Sequence, residues 1–145
     1  MEIGKFQKIV DQAKKLHPFW FEGERESPIK SNEIIKFENT VGYSLPEKYK
    51  FFISNYGCGY FAFTTIYSIR KGEWNILDKV HQIPIFEGKF IPVSDNGCGD
   101  YYGYLIVDSK CSDNIYFADH EKGYEIIQTE FFDLLSFINE IGLKP

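Results

Sequence analysis

The hydrophobic period of the sequence changes once, near residue 60, and this change limits the folds that the chain can adopt. Before it, apolar residues recur at helical spacing in residues 2–16, 32–41 and 46–56. After it, YFAFTTIYSI (60–69), KFIPVS, YYGYLIV, NIYFADH and GYEIIQ are rich in the β-branched and aromatic residues of strands. A last helix is predicted over 130–141. Helices segregated from consecutive short strands predict an α+β fold with N-terminal helices, a mostly antiparallel sheet of about five strands and a C-terminal helix.

Capping residues give provisional ends to these helices. Ser31 is predicted to cap the second helix and Gly42 to provide its left-handed exit. Pro46 suits the first turn of the third helix, where its missing N–H has no effect. Thr129 is predicted to cap the last helix. The segment KGEWNILDK (71–79) is interpreted as a turn or an irregular crossing.

Length and composition indicate one folded domain over residues 1–145. A chain of 145 residues can bury a self-sufficient core, and 18% aromatic residues exclude disorder. No stretch reaches the roughly 20 apolar residues of a membrane span. The N-terminal stretch is charged throughout and lacks the apolar core of a signal peptide. We therefore expect a cytoplasmic protein that does not bind membranes.

The charge of the chain is uneven along its length. Residues 1–72 hold 11 Lys/Arg and 8 Asp/Glu, a net of +3, whereas residues 73–145 hold 5 Lys and 13 Asp/Glu, a net of −8. An acidic protein repels phosphates, so direct nucleic-acid binding is disfavoured. An acidic half would attract a basic protein partner, but from charge alone ordinary solubilising charge is the preferred interpretation.

The stretch FIPVSDNGCGDYYGYLIVD (90–108) contains the most ambiguous motif, DNGCGD. It fails the calcium-loop pattern because glycines occupy positions that normally supply oxygen ligands. It also lacks the helix that must follow a nucleotide-binding glycine loop. Asp95, Asp100 and His120 remain open as a catalytic or small-ligand site. The favoured interpretation is a tight hairpin, because Asp, Asn and Gly are the residues that such turns require.

Cysteine and histidine spacing predicts neither a metal nor a disulfide. The three cysteines Cys58, Cys98 and Cys111 include no CxxC pair, and their number is odd. Cys98 could converge in space with the Asp119-His120-Glu121 run, but their spacing gives this no independent support. We therefore expect no cofactor and no bound metal.

Three stretches in order resemble the SUKH superfamily, the Smi/Knr-like proteins. They are IIKFENTVGYSLPEKYKFFISNYGCGYF (34–61), FIPVSDNGCGDYYGYLIVD (90–108) and the strands that lead into TEFFDLLSFINEIG (129–142). In the first, Tyr56-Gly57-Cys58-Gly59 replaces the usual Asn-Gly-Gly of that family. The resemblance implies an α+β fold without catalytic residues, so the protein is not expected to be an enzyme, and it makes Asp100 a structural residue.

The resemblance implies a bacterial immunity protein that neutralises a cognate polymorphic toxin, often a nuclease, by protein–protein contact. The alternative is a regulatory or scaffold module of the host cell without a toxin partner. On the first reading, the acidic half binds a basic toxin domain, and the oligomeric state stays open. Interface physics selects six candidate contact residues, with aromatic anchors surrounded by carboxylates: Trp74, Asp95, Tyr101, Tyr102, Asp119 and Glu121.

Overall fold

The computed structural model describes residues 1–145 and confirms the predicted α+β class. The helices are α1 (Ile3–Leu16), α2 (Ser31–Val41), α3 (Glu47–Tyr56), α4 (Ile76–Gln82) and α5 (Leu134–Phe137), the last continued by a π-helical turn at Ile138–Gly142. The strands are β1 (Gly59–Phe61), β2 (Thr64–Ile66), β3 (Phe90–Asp95), β4 (Tyr101–Val107), β5 (Lys110–Cys111), β6 (Tyr116–Asp119) and β7 (Glu125–Gln128). None of the helices combines the length and apolar character that a membrane span needs.

The main sheet has five antiparallel strands. Its order is β3-β4-β6-β7, and the short β5 pairs with the far end of β4. Asp95 at the end of β3 lies opposite Tyr101, which lies opposite Ala118, and the next residue of β6, Asp119, pairs with Glu125. The β3–β4 and β6–β7 turns therefore lie side by side at one end of the sheet.

The first three helices occur where the periodicity predicts them, with small shifts at their starts. Ser31 is the first helical residue rather than the cap, and the carboxylate of Glu33 accepts the N–H of Lys30 at 2.9 Å. Gly42 ends α2 with φ +81°, as predicted. Pro46 precedes α3 as its N-cap instead of lying inside its first turn.

The predicted strand over residues 60–69 is wrong as a single element. It divides into β1 and β2, which pair with each other in a separate two-stranded sheet. Ala62 at φ +50° turns the chain between them, and the N–H of Phe63 donates to the carbonyl of Gly142 at 2.8 Å. A bond to a residue so distant in sequence leaves no local signal.

Helix α4 occupies part of the segment that was expected to be irregular. The side chain of Asn75 caps it by accepting the N–H of Asp78 at 2.9 Å. Ile76 and Val80, four residues apart, form its buried face. The helix has seven residues, and so short a pattern is difficult to recognise from periodicity.

The C-terminal helix begins four residues later than predicted. Asp133, not Thr129, is its N-cap and accepts the N–H of Ser136 at 2.8 Å. The hydroxyl of Thr129 instead donates to the carbonyl of Ile115 at 2.7 Å, next to the end of β7. This bond to the neighbouring strand uses Thr129 to continue the sheet, so the helix starts at the next available cap.

Both faces of the main sheet carry buried aromatic residues. On one face Tyr104 contacts Tyr49 of α3 edge-on, with ring centroids 6.2 Å apart. On the other face Phe90 lies across Gly103, where an added Cβ would come within 2.1 Å of the carbonyl oxygen of Ile91. Only glycine permits this approach between β3 and β4.

Candidate functional site

The DNGCGD turn is held together by its own hydrogen bonds. Asp95 accepts the N–H of Gly97 at 2.8 Å, and Asn96 accepts the N–H groups of Cys98 and Asp100 at 2.9 and 3.2 Å. Gly97 has φ +75°, a conformation that glycine adopts without strain. These are the bonds of an Asx-type hairpin turn, which is how the sequence was interpreted.

Asp100 connects this turn to the neighbouring β6–β7 turn. Its Oδ1 atom accepts the backbone N–H of His120 at 2.8 Å and lies 2.6 Å from Nδ1 of the same residue, while Oδ2 accepts the amide of Asn96 at 2.8 Å. The hydrogen bond with Asp100 raises the pKa of His120, and the bonds from His120 lower the pKa of Asp100. The contact is therefore an ion pair when His120 is protonated.

Asp95 also reaches into the core. Its other carboxylate oxygen accepts the hydroxyl of Tyr67, a side chain that is almost completely buried. Burial, and then this hydrogen bond, raise the pKa of Tyr67 well above its ordinary value. Asp95 thus has structural partners on both sides, in the turn and in the core.

The Asp100–His120 pair has part of the geometry of a catalytic centre. A carboxylate orients an imidazole, as in hydrolase triads, and leaves Nε2 free to accept a proton. Nucleophilic catalysis also needs a hydroxyl or thiol within hydrogen-bond reach of that nitrogen. Cys98 is exposed in the adjacent turn and makes no hydrogen bond with His120. The pair therefore has no partner that would perform nucleophilic chemistry.

Asp100, Asp119 and His120 are the residues that could hold a cation. Their nearest ligand atoms lie within 4.8 Å of one another. Two of the three are already committed, because Oδ1 of Asp100 accepts two N–H groups and Oδ1 of Asp119 accepts the N–H of Glu121 at 3.0 Å. A cation bound through these oxygens would compete with the hydrogen bonds that they accept.

The structure brings four of the six predicted contact residues to one end of the sheet. These are Asp95, Tyr101, Asp119 and Glu121. Glu121 is exposed, and the other three are half-buried. The ring of Tyr101 packs against Tyr67, Phe86 and Tyr124, with centroids 5.9 to 6.3 Å apart. We call this region the acidic end of the sheet. Glu125 also lies there, opposite Asp119.

Two of the predicted aromatic anchors do not share a surface with Tyr101. Tyr102 points to the opposite face of the sheet, where its ring lies 4.7 Å from that of Phe137. Strand side chains alternate, so Tyr101 and Tyr102 cannot form one contact surface. Trp74 is only 9% exposed and packs where Gly59 has no side chain. It contributes to the core and presents almost no surface to a partner.

Sequence reasoning did not single out the exposed edge of β7 or a cavity elsewhere in the fold. The cavity, about 560 Å³, lies between α2, α4 and the β4–β5 turn, and none of the six predicted residues lines it. The β7 edge contains Ile127, which is 48% exposed. The last predicted strand does contain a pair of isoleucines. The sequence could not show that this strand lies at an edge, because the spatial order of strands is not readable from it.

The chain matches a known protein family. The family model SUKH_6, described as SMI1-KNR4 cell-wall, matches residues 31–135. This range includes α2, the whole main sheet and the acidic end. No curated protein matches the chain.

Proposed function

The chain belongs to the SMI1-KNR4 family of the SUKH superfamily, and from that premise we propose that it is a cytoplasmic immunity protein. In this role it binds a basic toxin domain, such as a nuclease, and neutralises it by protein–protein contact. The observation that carries the proposal is the acidic end of the sheet, where two adjacent turns bring carboxylates together.

The geometry of the acidic end suits recognition of a cationic protein. Asp119, Glu121 and Glu125 belong to seven consecutive residues that form the β6–β7 turn and its ends. Asp95 lies at the start of the adjacent β3–β4 turn. None of these four carboxylates forms an ion pair with a lysine or arginine of the protein. The same turn contains one lysine, Lys122, so negative charge is in excess at this end, and such an excess attracts an oppositely charged partner and accelerates its encounter.

The acidic end is also held rigid before a partner arrives. The Asp100–His120 and Tyr67–Asp95 hydrogen bonds fix both turns to each other and to the core. A preorganised surface loses little conformational entropy on binding, so more of the contact energy appears as affinity. The half-buried ring of Tyr101 lies on the same face as Asp95 and supplies apolar contact area there, whereas Asp119 and Glu125 lie on the face of Tyr102.

The proposed function involves no catalytic step and no metal. The carboxylates of Asp95 and Asp100 accept hydrogen bonds that hold the turns together, and no nucleophile is hydrogen-bonded to His120. We expect elemental analysis of the purified protein to find no stoichiometric zinc or other transition metal. A bound metal at one equivalent per chain, lost on His120→Gln substitution, would contradict this expectation.

The direct test is co-expression with the product of the adjacent gene. We expect the two proteins to co-purify and the bacterial host to survive expression of the toxin only when the immunity protein is present. A neighbour that is a housekeeping protein, with neither complex nor toxicity, would favour the regulatory-module alternative. The control is a paralogous toxin from an unrelated locus, which should not bind.

A further inference from the structure

The outer edge of β7 is a free edge of the main sheet. β7 is last in the strand order and pairs only with β6. Its four residues, Glu125–Gln128, include neither a proline nor a lysine, which commonly protect such edges. Three of the four are exposed. The edge can therefore accept another strand.

The register shows which main-chain groups point outward. The N–H of Thr129 donates to the carbonyl of Ile115 at 3.1 Å, so the main chain of Thr129 faces the β6 side of the sheet. Hydrogen-bonded and non-hydrogen-bonded pairs alternate along an antiparallel ladder. Ile127 is consequently bonded to β6, whereas the N–H and C=O groups of Ile126 and Gln128 point away from it, four main-chain groups in all.

An apolar row crosses the sheet and ends at this edge. Tyr102, Phe117 and Ile127 are consecutive cross-strand neighbours on one face, and the first two rings lie 5.1 Å apart. A groove of about 390 Å³ lies beside the row, bordered also by Phe131 and Ile141. The row stops at Ile127 without a cross-strand neighbour on its outer side. An added strand would place one side chain there.

The charges at the same edge indicate the chemistry of the added strand. Asp119 and Glu125 lie directly opposite each other, and like charges in this arrangement repel. His120 lies beside Asp119, but Glu125 makes no ion pair. Glu130 is the one charged residue that borders the groove. A cation placed next to Glu125 would relieve the repulsion.

We propose that β7 binds an extended segment of the toxin as an additional antiparallel strand. An apolar side chain of that segment lies beside Ile127, and a Lys or Arg two residues away lies beside Glu125. Both are non-hydrogen-bonded positions toward the new strand, where opposing side chains approach most closely. The identity of the partner rests on the proposed function. The proposal that this segment docks as an added strand rests on the free edge of β7, the apolar row that ends at Ile127, and the charges of Asp119 and Glu125.

A second copy of this chain is a poorer occupant of the same edge. If two copies paired through β7, Glu125 and Glu130 of both copies would lie along the shared edge. Four carboxylates would then meet with no lysine or arginine between Glu125 and Glu130 to neutralise them. A basic segment of a different protein removes the repulsion that self-pairing increases.

Substitution of Gln128 separates the main-chain contact from the side chain. Gln128→Pro removes one outward N–H and is tolerated because proline fits an edge strand whose N–H faces solvent. Gln128→Ala removes the same side chain but keeps that N–H. We expect the proline variant to bind the toxin about tenfold more weakly, as loss of a hydrogen bond that leaves its partner unsatisfied predicts. The alanine variant should bind within about threefold of the native protein.

The comparison is valid only if both variants have the melting temperature of the native protein. Should Gln128→Pro destabilise the chain, amide hydrogen exchange of the native complex replaces it. Ile126 and Gln128 should then become protected when the toxin binds. Equal affinity of the proline and native proteins, or unprotected amides in a formed complex, would overturn the strand-addition proposal and leave the immunity function standing.

A peptide tests the edge without any toxin. The probe is the end-blocked peptide Thr-Lys-Thr-Val-Thr-Lys-Thr, and its control has both lysines replaced by glutamate. In a titration followed by NMR, the lysine peptide should shift the amides of Ile126 and Gln128, and Glu125→Gln should weaken it. Absence of these shifts, or a protein dimer that protects the same amides, would overturn the proposal. If the peptide binds but no toxin does, the proposed function fails and the edge site stands.

Discussion

Oδ1 of Asp100 accepts two hydrogen bonds from His120, one from its backbone N–H and one from its ring. The two residues are 20 positions apart and belong to different turns. This one carboxylate therefore joins the β3–β4 hairpin to the β6–β7 hairpin at the acidic end of the sheet. The two donor groups of His120 differ, because the ring changes its protonation state with pH and the backbone N–H does not.

We expect the stabilising effect of the His120 ring to depend on pH. The pKa of His120 is raised from 6.5, so its contribution is complete below about pH 6.5 and is lost as the pH rises through the raised value. The pKa of Asp100 is lowered from 3.8, so its contribution is complete above about pH 4 and is lost as the pH falls through the lowered value.

His120→Gln keeps the backbone hydrogen bond and removes the titrating ring. The difference in melting temperature between native and variant proteins should be largest between about pH 4 and 6.5 and should shrink on either side. Thermal unfolding measured from pH 3 to 9 checks this. A difference that is constant across this range would show that the ring acts by packing alone.

Removal of the Tyr67 hydroxyl should destabilise the fold. Tyr67→Phe leaves one oxygen of Asp95 without its donor, and we expect the free energy of unfolding to fall by about 1–2 kcal/mol. Asp95→Asn keeps an acceptor for the N–H of Gly97 and presents an amide N–H that can donate to the Tyr67 hydroxyl, so it should cost less. Urea unfolding measures both values. Complete loss of toxin inhibition in Asp95→Asn at unchanged stability would instead identify Asp95 as a binding residue.

Two buried tyrosines in contact should respond in opposite ways to the loss of a hydroxyl. The hydroxyl of Tyr104 is buried without a hydrogen-bond partner, whereas that of Tyr49 donates to the carbonyl of Tyr67 at 2.7 Å. Tyr104→Phe should therefore leave stability unchanged or raise it by up to about 1 kcal/mol. Tyr49→Phe should lower it by about 1–3 kcal/mol. Denaturant unfolding of the two variants decides, and a large loss in Tyr104→Phe would indicate an ordered water bound to that hydroxyl.

Reversal of charge at the acidic end should slow association with the toxin. Asp119→Lys combined with Glu121→Lys removes two steering carboxylates, and we expect the association rate constant to fall about tenfold at low salt. Added salt should slow the native protein and have less effect on the variant. Stopped-flow or surface binding measurements report the rates. Glu22→Lys, an exposed reversal on the connection between α1 and α2, is the matched control.

Association that ignores both the charge reversal and the salt concentration would end the acidic-end hypothesis. The immunity function itself would survive that result. Because Asp119 also accepts the N–H of Glu121, Glu121→Lys alone should be measured as the variant that leaves this bond intact.

Local patterns predicted much of the fold from the sequence. The helical periods of α1, α2 and α3, the left-handed exit at Gly42 and the self-bonded DNGCGD turn all depend on residues within a few positions of one another. The same locality produced the errors. Thr129 has the right side chain for a cap, but its hydroxyl donates to the carbonyl of Ile115, just before β6, and Asp133 caps the helix instead.

The sequence alone determined the α+β class, the first three helices, the acidic character of the second half and the carboxylates Asp95, Asp119 and Glu121. Only the tertiary structure decided which of these share a surface. It joined the turns through Asp100 and His120, buried Trp74 behind Gly59 and turned Tyr102 to the face opposite Tyr101. It also left β7 unpaired at the edge of the sheet. The physical reason is that period and capping are local properties, whereas burial, strand order and pairing depend on contacts between residues far apart in the chain.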